Sequence, residues 1–364
     1  MGRRIPLVFG ALAALACLVL VGAIFAGPHS SAAASASAQS DPPHQPVPSS
    51  LSDADFWRFV TEHSEPSGSF PRENLTSNEA FFQYVIPDLL RRARPGRVYL
   101  GVGPEQNFTY IAALQPAMAV VFDIRRGNLD VQLMYKAIFE LAADRADFMA
   151  ILFSRPRPPG LGPSSSVVEL FSAFAGVHSS KAVYERNLKA IDDRLSKTHG
   201  FALRADDLEW IEYVFSTFYR EGYAVRPSPS YADLMTATDG AGAFRSYLAT
   251  EANFSVLKTL EARNLVIPLV GDFAGTKAVR GVAAYLKAHD ATVSAFYLSN
   301  VEDYLYQDRK WEAFCRNVAM LPLDQSSTFI RSTSRGRPPG GFGGYYGGFV
   351  SSLGRMTDEV KACR

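Results

Sequence analysis

Cysteine is scarce: Cys17, Cys315 and Cys363 are the only three among 364 residues. That excludes a disulfide-stapled small scaffold and a cysteine-rich zinc module. An excess of one charge is also lacking. Lys and Arg total 37 against 36 Asp and Glu, a formal net charge of +1, so nothing global points to nucleic acid or to a strongly acidic partner. The six histidines are scattered without metal-ligand spacing. No Gly-x-Ser-x-Gly occurs, which leaves a hydrolase nucleophile elbow unsupported. "GDFAGTK" (271–277) falls short of a phosphate loop: its spacing is one residue too small, and Lys277 follows the threonine instead of preceding it. What remains is an ordinary globular composition, 47% hydrophobic and 20% charged, on a chain long enough for one large domain or two smaller ones.

Arg3 and Arg4 precede an uncharged, mostly apolar run from Ile5 to Ala26. A cleaved signal has an apolar core of roughly 7–15 residues, whereas a membrane-spanning helix needs about 20. The run therefore reads as a signal anchor, or as a signal peptide removed after Ala26 or Ala38. The basic flank places the globular part outside the cytoplasm, either tethered to the membrane or released into the periplasm or medium. Residues 27–50, rich in Ser, Ala and Pro, read as a disordered tether.

The remainder has an α/β rhythm. "SDADFWRFVTEH" (52–63) and "TSNEAFFQYVIPDLLRRA" (76–93) read as helices, the second with Glu79 in its first turn. "RVYLGV", "AMAVVFDI", "NLVIPLVGDF", "ATVSAFYLSNV" and "SSTFIRS" are continuous apolar runs, the pattern of strands covered by helices on both faces of a parallel sheet. "NLDVQLMYKAIFELAADRADFMAILF" (128–153) is helical with a break near Asp144. This divides the folded part into a first half of the core with its N-terminal helices (51–153), a mostly helical insertion (154–263), and a second half of the core (264–332). A Gly-rich low-complexity segment (333–349) and a C-terminal helix (350–364) follow. The insertion is expected to cover the site.

In an open parallel sheet, ligands bind beyond the carboxyl ends of the strands. Gly101, Gly103 and Glu105 fall there after the first strand, Asp123 after the second, Asp272 after the third and Asn300 after the fourth. Glycines let a backbone approach a ligand closely, and an acid about 20 residues further on suits ribose hydroxyls. The alternative is a tight turn, with Asp123 paired to Arg125 or Arg126. Glu105 bears on the choice of ligand. A carboxylate at this helix N-terminus repels the pyrophosphate of a dinucleotide, yet tolerates the cationic sulfonium and amino group of S-adenosylmethionine. An acid in a first helical turn is also stabilised by the helix dipole alone.

"VYLGVG", "VVFDI", "PLVGDFAG", "AFYLSNVEDYL" and "SSTFIRS" resemble the core of class I S-adenosylmethionine-dependent methyltransferases. More closely, "YLGVGPEQNFTYIAAL", "FDIRRGNL", "LMYKAIFELAADRADF" and "YLSNVE" resemble a poorly characterised bacterial family with this methyltransferase-like fold, over most of residues 70–332. The resemblance implies a Rossmann-like sheet and S-adenosylmethionine or a related nucleoside as ligand. It places Gly101 and Gly103 on the methionine part, Asp123 on the ribose, Asp272 on the adenine and Asn300 at the active-site mouth. Methyl transfer is the activity implied, and a nucleoside- or partner-binding pseudo-enzyme of the cell envelope is the alternative. Two positions depart from the methyltransferase pattern: Tyr99 stands where an acid is usual, and Glu105 where a third glycine is usual.

Cys315 and Cys363 are the two cysteines outside the apolar leader. An oxidising compartment would let them pair; otherwise Cys315 is a buried free thiol on its helix and Cys363 is exposed.

Overall fold

A computed structural model describes residues 46–71, 73–225, 229–333 and 349–363. The anchor or signal expected at 1–26, most of the tether, and nearly all of the Gly-rich segment lie outside them. Among the described residues, no helix is long and apolar enough to cross a membrane.

The chain opens with α1 (Asp53–His63), whose first turn is capped by Ser52 Oγ accepting from the Asp55 amide at 3.0 Å. Next come α2 (Ile86–Arg92), β1 (Val98–Val102), α3 (Gln106–Leu114) and β2 (Met118–Asp123). Helices α4 (Arg126–Leu141), α5 (Arg145–Leu152), α6 (Val167–Ala175), α7 (Lys181–Asp193), α8 (Ala205–Glu221), α9 (Tyr231–Thr236) and α10 (Glu251–Ala262) all fall between β2 and β3 (Val266–Val270). The rhythm then resumes with α11 (Ala278–Ala288), β4 (Val293–Ser299), α12 (Val301–Gln307), α13 (Trp311–Val318) and β5 (Thr328–Thr333), and ends with β6 (Val350–Arg355) and α14 (Met356–Glu359).

The strands form one six-stranded sheet in the order β3-β2-β1-β4-β5-β6, parallel throughout except for β6, which runs antiparallel to β5. The fold is therefore α/β on a mostly parallel sheet. The five parallel strands are buried because helices cover both faces: Leu100, Met118, Ile267, Phe296 and Ile330 have no exposed surface. The expected break at Asp144 is present. Its side chain caps α5 by accepting from the Asp147 amide at 2.9 Å.

Three expectations are corrected. Residues 76–81 are not helical. Only a short 3₁₀ turn (Phe82–Val85) and α2 are, because Ser77 and Glu79 are drawn into side-chain bonds with Glu105, Tyr297 and Ser299, and Pro87 suits a first helical turn rather than an interior. Residues 350–355 form a strand rather than the start of a helix, since β5 offers them a free edge from Thr328↔Arg355 to Thr333↔Val350. The helical insertion packs beside the core and contributes no described residue to the cavity described below. It is tied to α4 instead. Arg126 makes a two-pronged bond to Asp207 of α8 at 2.6 and 2.7 Å, and Trp210 Nε1 donates to the Gly127 carbonyl at 2.8 Å.

One edge of the sheet is β3, the other β6. The Gly271 amide donates to Asp123 O and the Ala119 amide to Leu265 O, so the odd-numbered residues of β3 face β2. Val266, Pro268 and Val270 turn their nitrogens outward. There the Val270 amide meets Ser64 Oγ at 3.1 Å, and the Val270 carbonyl accepts from the Glu65 amide at 2.9 Å.

Cys315 on α13 and Cys363 near the C-terminus form a disulfide, with Cα atoms 5.3 Å apart.

Candidate functional site

The strand order reverses between β1 and β4, and a cavity of about 420 Å³ opens beyond the carboxyl ends of β1 to β4. Both the place and the size are those of a small-molecule site in an α/β sheet. Its floor comes from Gly103, Asp123, Asp272 and Asn300, and its roof from residues 69–71, 74 and 76–79 and from α12.

All four lie at or just past the carboxyl ends of strands, where the sequence pattern puts them, and all four line the cavity. Gly101 and Glu105 serve the site from behind. Gly101 is needed because a Cβ there would stand 1.9 Å from Asn107 Oδ1 and 2.7 Å from the Tyr99 hydroxyl. The space allows Tyr99 OH to donate to Asn107 Oδ1 at 2.8 Å, while Asn107 Nδ2 donates to the carbonyls of Val102 and Pro104 at 2.9 and 2.7 Å. Gly103 takes a left-handed φ of +82°. Its amide donates to Phe122 O at 2.9 Å, and its carbonyl accepts from Asn128 at 3.1 Å and Gln132 at 3.0 Å. The glycine turn is thus fixed by amide side chains and leaves no Gly103 N–H for a phosphate. Glu105 is fully buried, and its carboxylate accepts from the Ser77 amide at 3.1 and 3.2 Å. It pins the roof and does not line the cavity.

Asp123 ends β2. Its Oδ1 accepts from the Arg125 amide at 2.8 Å and from Arg125 Nε at 3.3 Å. Burial raises its pKa, and Arg125 opposes the shift. Asp272 accepts from the Ala274 amide at 2.9 Å and from Lys310 Nζ at 2.9 Å, so the cavity's lysine is already paired. The amides of the "GDFAGTK" turn are occupied from within: Glu65 accepts from Asp272 N at 2.8 Å, Lys277 N at 2.8 Å and Ala278 N at 3.2 Å. A carboxylate of the chain itself sits where a phosphate loop would hold its anion.

The residue that sequence reading missed is Glu79. Burial leaves it 2% exposed, yet it lines the cavity. Its Oε1 accepts from Tyr297 OH at 2.7 Å and Ser299 Oγ at 2.6 Å, and its Oε2 from Gln106 Nε2 at 3.2 Å. Gln106 also bonds the Tyr297 hydroxyl. Burial pushes the Glu79 pKa up, and bonds from Ser299, Tyr297 and Gln106 restrain the rise. Ser299 holds a left-handed φ of +51°, unusual for a residue with a Cβ, and in this conformation its hydroxyl reaches Glu79. Nothing local in the sequence marks Glu79, because Tyr297 and Ser299 lie 218 and 220 residues away.

The charged groups of the lining are Glu79, Asp123, Asp272 and Asp308 against Lys310. The arrangement favours a ligand that carries positive charge or hydroxyl donors over one that carries phosphate. Phe70, Phe273 and Tyr304 add aromatic surface. Among the described residues, no group of three or more His, Cys, Asp or Glu is placed to hold a metal ion.

No curated protein matches the chain. The family model for a domain of unknown function, DUF7790, matches residues 74–159 and 165–344, which take in most of the cavity lining. That match spans well over half of the chain, and the protein belongs to this family.

Proposed function

We propose that the crevice binds a nucleoside-type ligand bearing positive charge, with S-adenosylmethionine the favoured member of that class, in a methyltransferase-like protein held at or exported across a membrane. The observation that carries the reading is the acidic lining, four carboxylates to one paired lysine, at the switch point of the sheet. Asp123 would take ribose hydroxyls through the carboxylate edge that Arg125 leaves open. Asp272 would meet the base beside Phe273, Gly103 would approach the amino-acid part, and Asn300 would stand at the mouth. When bound, the cofactor would supply a methyl group activated by its sulfonium. Methyl transfer can run on proximity and orientation, so the chain's own part is to hold the donor and exclude water.

A second reading, binding without catalysis, draws on Glu79. It is the most buried carboxylate of the lining, and Tyr297, Ser299 and Gln106 already bond both of its oxygens, which commits it to holding the fold together rather than to a methyl acceptor.

Calorimetry on the full-length protein in detergent, with S-adenosylmethionine, S-adenosylhomocysteine and NAD, tests the proposal. Saturable binding of the first two and none of NAD supports it. Binding of none at millimolar concentration, or of NAD alone, refutes it. Release of S-adenosylhomocysteine on incubation with an envelope fraction then separates catalysis from binding.

A further inference from the structure

A second cavity, about 600 Å³, opens at the other end of the sheet, where β5 begins. Three separate stretches of chain build it. Arg91 and Arg92 come from the last turn of α2, and Arg94 follows just after. Ser326 and Thr328 come from the entry to β5. Arg355 is the last residue of β6, and it stands opposite Thr328 only because β6 runs antiparallel. Four arginines therefore share one concavity with a single acid, Asp358.

The floor is fixed independently of these arginines. Arg97 donates to Ser326 Oγ at 2.8 Å and pairs with Asp324, while Asp324 Oδ1 accepts from the Ser326 amide and hydroxyl, each at 2.9 Å. Thr328 Oγ1 donates to the Ser326 carbonyl at 2.9 Å. The arginines above are available. Arg91 is paired with Asp88, and Arg355 with Asp358 at 3.2 Å, both exposed contacts of the kind that water weakens. Arg92 and Arg94 make no ion pair among the described residues. Leu353 is the one apolar residue of the lining, so a flat hydrophobic guest gains little there.

Guanidinium forks recognise phosphate through paired N–H bonds, and several forks in one groove suit an anion with more than one phosphate. We propose that this groove is a binding site for an oligophosphate or phosphoester anion, separate from the crevice and opposite to it in charge. Two sources share this chemistry, a free oligophosphate and the headgroups of anionic lipid.

The test uses the full-length protein in non-ionic detergent and inorganic tripolyphosphate, followed by calorimetry at low and moderate salt. The expected result is saturable one-to-one binding that weakens with salt. It should fall at least about tenfold in the double variant R92A/R94A and only in part in R92K/R94K, which keeps charge but not the fork. Adding mixed micelles with phosphatidylglycerol distinguishes the sources. Displacement of tripolyphosphate that phosphatidylcholine does not reproduce assigns the groove to lipid headgroups, and retention assigns it to a free anion. Two results overturn the proposal: no saturable binding at millimolar tripolyphosphate, or an equal loss in K181A/K189A, which removes the same charge from the exposed face of α7. The crevice takes no part in this test.

Discussion

Breaking the disulfide should cost the protein a large share of its stability. Cys315 and Cys363 are 48 residues apart in sequence, and their Cα atoms lie 5.3 Å apart in the fold, within the span that a disulfide bridges without backbone movement. In the chain-entropy account, closing a loop of this length removes enough unfolded-state freedom to contribute about 4 kcal/mol at 25 °C. Whole domains are stable by only about 5–15 kcal/mol. The crosslink does not act alone on the C-terminal segment. Met356 and Val360 are buried, and Arg331 bonds both Glu302 and Glu359. Reduction should therefore weaken the fold without detaching β6. Urea unfolding of oxidised and reduced wild type measures the difference, and C315S/C363S serves as a crosslink-free reference that reductant should leave unchanged. The reasoning fails if reductant leaves the wild-type midpoint in place, or if unreduced protein from its native compartment carries two free thiols by mass spectrometry.

Three further outcomes are expected. Asp123→Ala should weaken nucleoside binding about ten- to a hundredfold by calorimetry, because a charged hydrogen bond contributes roughly 1.5–3 kcal/mol; unchanged affinity would remove Asp123 from the site. Glu105→Ala leaves the buried Ser77 amide without its acceptor and should cost about 1–3 kcal/mol in thermal or urea unfolding, with an intact melting point as the contrary result. Asp130→Asn should flatten the fall in stability toward alkaline pH. Burial, and then the neighbouring Asp207 charge, push the folded pKa of Asp130 up to about 8. With the folded value raised, the unfolded chain ionises first. Stability is highest below the ordinary carboxyl range and falls between that range and about pH 8, at up to about 1.4 kcal/mol per pH unit. Melts of wild type and variant at pH 5 and pH 8.5 decide the matter. Part of the slope should remain, since burial also raises Glu261 to about 8.

The inner strands were legible because burial on both faces writes itself into the sequence as unbroken apolar runs, as in "VVFD" and "SAFYL". β6 was not. "VSSLGR" is half-exposed at an edge, and only pairing with β5 makes it a strand. Pattern also identified the floor of the crevice, since residues just past the carboxyl ends of strands can be counted off. Glu79 escaped because its role is set by partners on β4, and read locally it is merely an acid near a helix start. For Glu105 the sequence gives a position at the mouth of α3 but not the direction of the side chain, which turns to the Ser77 amide. The insertion was expected over the site because of its length and its place in the chain. Arg126–Asp207 and Trp210–Gly127 decide otherwise, and neither pairing is visible in one dimension.

The outward face of β3 bears on how this protein behaves when crowded. A parallel sheet ends in strands whose unpaired amides and carbonyls invite a neighbour's strand to join. Over the last three residues of β3 that invitation is largely withdrawn. Pro268 has no hydrogen to donate, and both polar groups of Val270 are taken by Ser64 and Glu65. Molecules packed closely against one another would find little strand to extend at this end of β3, where a single imino acid and the turn that follows α1 hinder filament growth by sheet addition.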